Sequence, residues 1–122
     1  MKYILILIFL LNFNCNKSDL IALNCIKAKL VLQGLCMNYV IQIIEGNVDS
    51  SLFETIWINP ITNVNYQNVF GLGSICTFPS TIKEGDEFYF TISKEQVIQT
   101  CPQCQAYSPT PNKKIAIQIC NK

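Results

Sequence analysis

The fold is decided by the stretch Glu87-Phe88-Tyr89-Phe90-Thr91-Ile92-Ser93, in which large apolar side chains recur at every second position. Since successive side chains of a strand point to opposite faces, this period of two predicts a half-buried β-strand. We expect Phe88, Phe90 and Ile92 to form the face that enters the core. Glu84-Gly85-Asp86 comes directly before the stretch and predicts a turn there.

The same alternation predicts four further strands along the chain. They are residues 26–33, 37–45, 55–59 and 114–120, the first two being separated by a tight reversal at Gly34-Leu35. Residues 63–73 show no clear period and predict an irregular or short helical link that places Tyr66, Val69 and Phe70 in the core. Residues 97–111 contain three prolines and two cysteines, which predicts an ordered, cross-linked loop.

Five mostly antiparallel strands, with one link between the third and the fourth, predict an all-β fold, namely a small five-stranded OB-like barrel stabilised by disulfides. A β-sandwich is the alternative. The run from Gly85 to Phe90 resembles the fourth strand of small exported OB-like domains in Bacteroidetes, and the resemblance covers Ile26 to Ile119.

The N-terminus predicts export. Lys2 precedes an uninterrupted apolar run over residues 3–11, which is too short to span a bilayer and is typical of a signal peptide. A rise in polarity and Cys15 follow, and this arrangement resembles a bacterial lipoprotein signal; residues 16–19 resemble the short tether of Bacteroidetes-type lipoproteins. The resemblance implies a signal peptide over 1–14, lipidation of Cys15, a tether over 15–24 and one all-β domain over 25–122. The protein would then be anchored by its lipid to the outer membrane or the periplasmic face; plain secretion is the alternative.

Six cysteines remain beyond Cys15, too many for a reducing cytosol unless they bind metal. Zinc usually takes two cysteine pairs or a pair with histidines, whereas this chain has one close pair and no histidine, so we expect three disulfides and no metal or cofactor. Six cysteines allow fifteen pairings. The strand order favours Cys25–Cys120, because first and last strands are neighbours in many barrels, followed by Cys36–Cys76 and Cys101–Cys104.

Charge and composition exclude or disfavour several classes of function. Removal of Lys2 leaves eight lysines against eight acidic residues, with no arginine, which disfavours nucleic acid. The absence of histidine excludes Ser-His and Cys-His nucleophiles. We therefore expect a non-catalytic module that binds a glycan, peptide or protein. The alternatives are a thiol–disulfide enzyme using Cys101 and Cys104, and an inhibitor of a secreted enzyme that presents residues 105–112.

Aromatic side chains are the best candidates for ligand contact, because OB-like domains bind ligands on outer sheet faces. Tyr89 should be exposed, since Phe88 and Phe90 occupy the core face of its strand. Trp57 lies between two isoleucines and is expected to fill the core, with an outer-face role as the alternative. The candidate binding residues are therefore Tyr89, Tyr107, Trp57 and Tyr66.

Overall fold

The computed structural model describes residues 24–94 and 98–121, and these residues form a single seven-stranded β-sheet. The predicted signal peptide, Cys15 and most of the tether lie outside the described residues. Three single 3₁₀ turns interrupt the strands, at Leu35–Met37, Ser50–Leu52 and Ile75–Thr77. The strands are β1 (Ile26–Gln33), β2 (Tyr39–Glu45), β3 (Glu54–Ile58), β4 (Asn65–Leu72), β5 (Glu87–Ile92), β6 (Lys114–Ile115) and β7 (Ile117–Ile119).

The core forms where the apolar faces of the alternating strands meet. Phe88 and Phe90 of β5 are buried, as the alternation predicts, and Phe90 packs against Phe70 of β4 with ring centroids 5.6 Å apart. β1 contributes Ala28 and Leu30, both completely buried. The remaining members of the core cluster are Ile41, Leu72, Phe78, Ile115 and Ile117.

The all-β, mostly antiparallel fold stabilised by disulfides is confirmed, but the sheet has seven strands rather than the five of the predicted OB-like barrel, and it is not closed into a barrel. The strands run in the order β3-β4-β2-β1-β5-β7, and β6 pairs with β4 in parallel. The segment 114–119 thus pairs with β4 through its first residues and with β5 through its last, the change of partner falling at Ala116. Because no strand in this segment pairs with both neighbours along its length, the sheet is not closed into a barrel. The β-sandwich alternative is also wrong, since all strands belong to one sheet.

The predicted irregular link over 63–73 is instead the long strand β4; Val69 and Phe70 are buried as predicted, whereas Tyr66 is only half-buried and does not belong to the core. The second half of β4 pairs with β2 through Val69, Phe70 and Gly71, whereas its first half pairs only with β3. Asn68 stands between the two halves with a left-handed backbone, φ +54°. Asparagine is among the few residues that adopt this conformation readily. The part of the β3–β4 hairpin before Asn68 therefore extends past the residues of β4 that pair with β2.

Three disulfides cross-link the sheet and its loops: Cys25–Cys120, Cys36–Cys104 and Cys76–Cys101. The prediction for Cys25–Cys120 is confirmed, and this bond joins the start of β1 to the residue after β7. The other two predicted pairs are wrong, because Cys101 and Cys104 reach toward different turns. Three disulfides indicate an exported, non-cytosolic protein. Over residues 24–94 and 98–121 no helix has the length and apolar character needed to cross a membrane.

Candidate functional site

The segment from Ile98 to Lys113 is a long loop without regular structure that is fastened to the sheet at several points. Its two cysteines bind Cys76 and Cys36, which anchor it to two separate turns. The amide of Cys101 also donates to the sulfur of Cys76, at 3.2 Å. Toward its end the loop places Pro111 in the interior, completely buried. The predicted ordered, cross-linked loop is therefore confirmed over the residues that the structure describes.

The Leu35–Met37 turn is joined to this loop by the Cys36–Cys104 disulfide. Cys36 and Met37 both have left-handed backbones, with φ of +58° and +61°. Such conformations are strained for residues other than glycine and persist only where the surroundings enforce them. The Cys36–Cys104 bond supplies one restraint here. Consecutive strained residues of this kind concentrate at binding and catalytic sites, which makes the turn a candidate functional element.

Two further contacts hold the loop and the turn together. Asn38 donates from Nδ2 to the carbonyl of Leu35 at 2.7 Å and to that of Ala106 at 3.3 Å, so one amide group joins both segments. Gly34 is closely approached by the loop: a methyl group in its place would collide with Ser108 Oγ and with the carbonyl oxygen of Asn38. The loop therefore packs on the turn at a position where only glycine fits.

Ile98, at the start of the loop, is 80% exposed, and two further large side chains are exposed where the loop meets the turn: Leu35 at 66% and Tyr107 at 77%. We name the latter two the Leu35–Tyr107 surface. From residue 98 to residue 112 the chain contains no charged residue, so the loop presents an uncharged surface. The cavity between the loop and the turn has a volume of about 180 Å³, below the ~300 Å³ at which ligand pockets usually begin. Neither Leu35 nor Tyr107 lines this cavity, and both are largely exposed to solvent.

The four predicted binding residues are not brought together. Trp57 and Tyr66 face each other across β3 and β4 with ring centroids 5.6 Å apart. Tyr89 lies on β5, opposite Lys27 of β1, and three strands separate β5 from β3. Tyr107 lies on the loop, outside the strands that carry the other three. The expectation that Trp57 fills the core is wrong, because β3 pairs with the part of β4 that extends past the core cluster.

Sequence reasoning identified Tyr107 but missed Leu35. The only signal for Leu35 was a large apolar residue between Gly34 and Cys36, in a tight reversal where a polar residue is more usual. A leucine that cannot reach the core from such a turn has to face solvent. The exposed turn and its cysteine together would have identified the position.

The Cys101-Pro-Gln-Cys104 motif is divided between two bridges. Cys101 bonds to Cys76 and Cys104 bonds to Cys36, so the pair does not form the disulfide that a thiol–disulfide enzyme would use. Among residues 24–94 and 98–121, no group of three or more histidine, cysteine or acidic side chains is arranged to hold a metal ion.

Comparison with known proteins gives no relative: no protein-family model, no curated protein and no solved structure matches this chain.

Proposed function

We propose that this protein is a non-catalytic lipoprotein module of the bacterial cell envelope that binds a protein partner through the Leu35–Tyr107 surface. The observation that supports the proposal is a tyrosine 77% exposed on a loop that two disulfides fasten to the sheet. Tyrosine is enriched among the residues that dominate binding energy at protein interfaces. A loop that is already held in place loses little conformational entropy on binding.

The shape and charge of the surface favour a protein over a glycan or a small molecule. Sites for small ligands are concave and bury most of the ligand, whereas Leu35 and Tyr107 are largely exposed to solvent. With no charged residue from position 98 to position 112, affinity should come from apolar contact and change little with salt. The partner surface should therefore be an apolar depression that accepts a tyrosine ring.

We also propose that a lipid on Cys15 anchors the protein to the membrane. The apolar run over 3–11 followed by Cys15 supports lipidation at that cysteine, and the disulfides support an extracytoplasmic compartment. Eight residues lie between Cys15 and Asn24, where the described structure begins. The tether would hold the domain near the membrane while leaving the loop free to meet a partner.

Photo-crosslinking in intact cells tests the binding surface. The full chain is expressed in its lipoprotein-processing host with benzoylphenylalanine at position 107, or at position 61 as a matched control. Ile61 is 69% exposed and lies at the tip of the β3–β4 hairpin, so it is similarly exposed on another loop. We expect a discrete crosslinked partner from position 107 that is absent among the products from position 61. No crosslink from 107, or the same products from both positions, would contradict the proposal.

Once a partner is identified, its affinity for variants gives the quantitative test. Tyr107→Ala should weaken binding roughly 30-fold, the effect of removing a contact of about 2 kcal/mol. Ile61→Ala should leave the affinity unchanged, and added salt should change the wild-type affinity by less than a factor of about three. Equal affinities for the two variants would place the interface elsewhere.

Inhibition of a secreted enzyme is a second candidate function, because an irregular, cross-linked loop with one protruding side chain can enter an active-site cleft. It predicts that the partner is a hydrolase and that wild-type protein blocks its activity while Tyr107→Ala does not. A partner without enzymatic activity would leave simple binding as the function.

A further inference from the structure

The outer edge of β3 is open. β3 stands at one end of the strand order, and β4 is the only strand that pairs with it among the residues that the structure describes. An unpaired strand edge presents a row of free amide and carbonyl groups that can pair with another strand. The question is which strand fits this edge.

The hairpin register shows which backbone groups are free. The amide of Asn59 donates to the carbonyl of Val64 at 2.9 Å, and the pairs Ile58 with Asn65 and Trp57 with Tyr66 continue the ladder. In antiparallel pairs, residues alternate between exchanging hydrogen bonds with the partner strand and pointing these groups away from it. Counting from Asn59, the amides and carbonyls of Ile58 and Ile56 point away from β4, toward the open edge.

The edge also lacks the devices that natural proteins use to prevent pairing. Such edges usually have lysine, proline or a bulge. β3 contains no lysine and no proline, and its single charged residue, Glu54, is at the end of the strand. Ile56 and Ile58 are 60% and 54% exposed, which is unusual for isoleucines in a small domain with a modest core.

The sequence of this edge is nearly the same read in either direction: Thr55-Ile56-Trp57-Ile58-Asn59. When two copies lie antiparallel with Trp57 opposite Trp57, each Ile56 faces an Ile58 and each Thr55 faces an Asn59. Glu54 falls opposite Pro60, so no like charges meet, and the absence of a proline amide ends the ladder there. This register also aligns the free backbone groups of Ile56 in one copy with those of Ile58 in the other.

We propose that two copies of this chain associate through β3, with their edges paired antiparallel about a two-fold axis at Trp57. The two copies use the same surface, as a two-fold interface requires. Trp57 opposite Trp57 is a pair without mutual hydrogen bonds, in which the side chains approach most closely. Each tryptophan already lies 5.6 Å from Tyr66, so the dimer would gather four aromatic rings on one face and four isoleucines on the other. The Leu35–Tyr107 surface uses other residues and does not enter this argument.

The chain provides its own reporter, because Trp57 is its only tryptophan. The full chain, exported and purified, is studied by sedimentation equilibrium and by tryptophan emission over a range of concentrations. We expect a mass of two chains at high concentration, with a blue shift of the emission that follows the same dissociation curve. A single-chain mass at every concentration, with constant emission, would overturn the proposal.

Charged substitutions test the register. Ile56→Lys should weaken association at least about ten-fold, since each dimer loses two isoleucine contacts. Ile56→Lys combined with Ile58→Glu should restore it, because in the Trp57-centred register each lysine faces a glutamate. Ile98→Lys, at an isoleucine that is 80% exposed on the loop rather than on β3, is the matched control and should leave the dimer intact. Circular dichroism confirms that each variant is folded. A dimer that survives Ile56→Lys, or one that the double variant fails to restore, would refute this interface.

Discussion

Removal of the Cys25–Cys120 disulfide has a cost that can be worked out from the connectivity. In the chain-entropy description, a disulfide stabilises the fold by closing a loop in the unfolded chain, and the effect grows with the logarithm of the loop length. The two cysteines are 95 residues apart. Taken alone, a loop of this length corresponds to about 4.7 kcal/mol at 25 °C.

The other bridges shorten that loop. With Cys36–Cys104 in place, the path between Cys25 and Cys120 passes through 11 residues, crosses the bridge and continues through 16, about 27 residues together. A loop of this length corresponds to about 3.5 kcal/mol. Cys76 and Cys101 are separated by 25 residues, and no bridge shortens their path, so their disulfide also corresponds to about 3.5 kcal/mol.

We therefore expect the double variants Cys25→Ala/Cys120→Ala and Cys76→Ala/Cys101→Ala to lose nearly equal stability, despite a nearly four-fold difference in sequence separation. Urea denaturation followed by far-ultraviolet circular dichroism, without reductant, measures both. A loss for Cys25–Cys120 that exceeds the other by more than about 1 kcal/mol would show that Cys36–Cys104 does not restrict the unfolded chain. Losses below about 1 kcal/mol for both would refute the entropic reasoning.

Three further predictions concern single positions. The mature protein should begin at Cys15 with its mass raised by acyl chains, and Cys15→Ser should release it from the membrane fraction; intact mass spectrometry of an unmodified chain would contradict this. Asn68 has φ +54°, so Asn68→Gly should leave the stability nearly unchanged, whereas Asn68→Val should lower the free energy of unfolding by about 1–2 kcal/mol, as measured by urea denaturation. Equal stabilities of the two variants would argue against the left-handed backbone. The Ser51 amide donates a hydrogen bond to the Asp49 carboxylate and lowers its pKa below the ordinary value of 3.8. This carboxylate therefore stabilises the fold above pH 3.8, and the stabilisation is lost as the pH falls through the lowered pKa. An NMR titration midpoint for Asp49 at or above 3.8 would refute this prediction.

Regular alternation was a sound guide to the strands that cross the core. β1 occupies the predicted residues 26–33 and β5 begins at the predicted Glu87, because in both strands one face is apolar and the other is not. β4 was not predicted as a strand because Asn65, Gln67 and Asn68 have little preference for strands. Its pairing with β2 joins residues that are distant in sequence, so the local sequence does not indicate it.

Only part of the candidate site could be predicted from the sequence, for a similar reason. Tyr107 among turn-forming residues suggests exposure, and the prolines and cysteines around it suggest an anchored loop. Which turns the loop contacts depends on disulfide pairing, and sequence spacing suggested the wrong partners for Cys101 and Cys104. Without the Cys36–Cys104 bond there was no reason to place Leu35 beside Tyr107.

The nesting of the three disulfides bears on how the protein matures during export. Among the six bonded cysteines, each bond joins one of the first three, Cys25, Cys36 or Cys76, to one of the last three, and each pair encloses the next. A chain that leaves a translocation channel from its N-terminus exposes all three early thiols before any native partner has emerged. Any bond that forms among them is non-native and must be broken again. Correct maturation therefore requires oxidation to wait for the late cysteines, or an isomerase to exchange the early bonds afterwards.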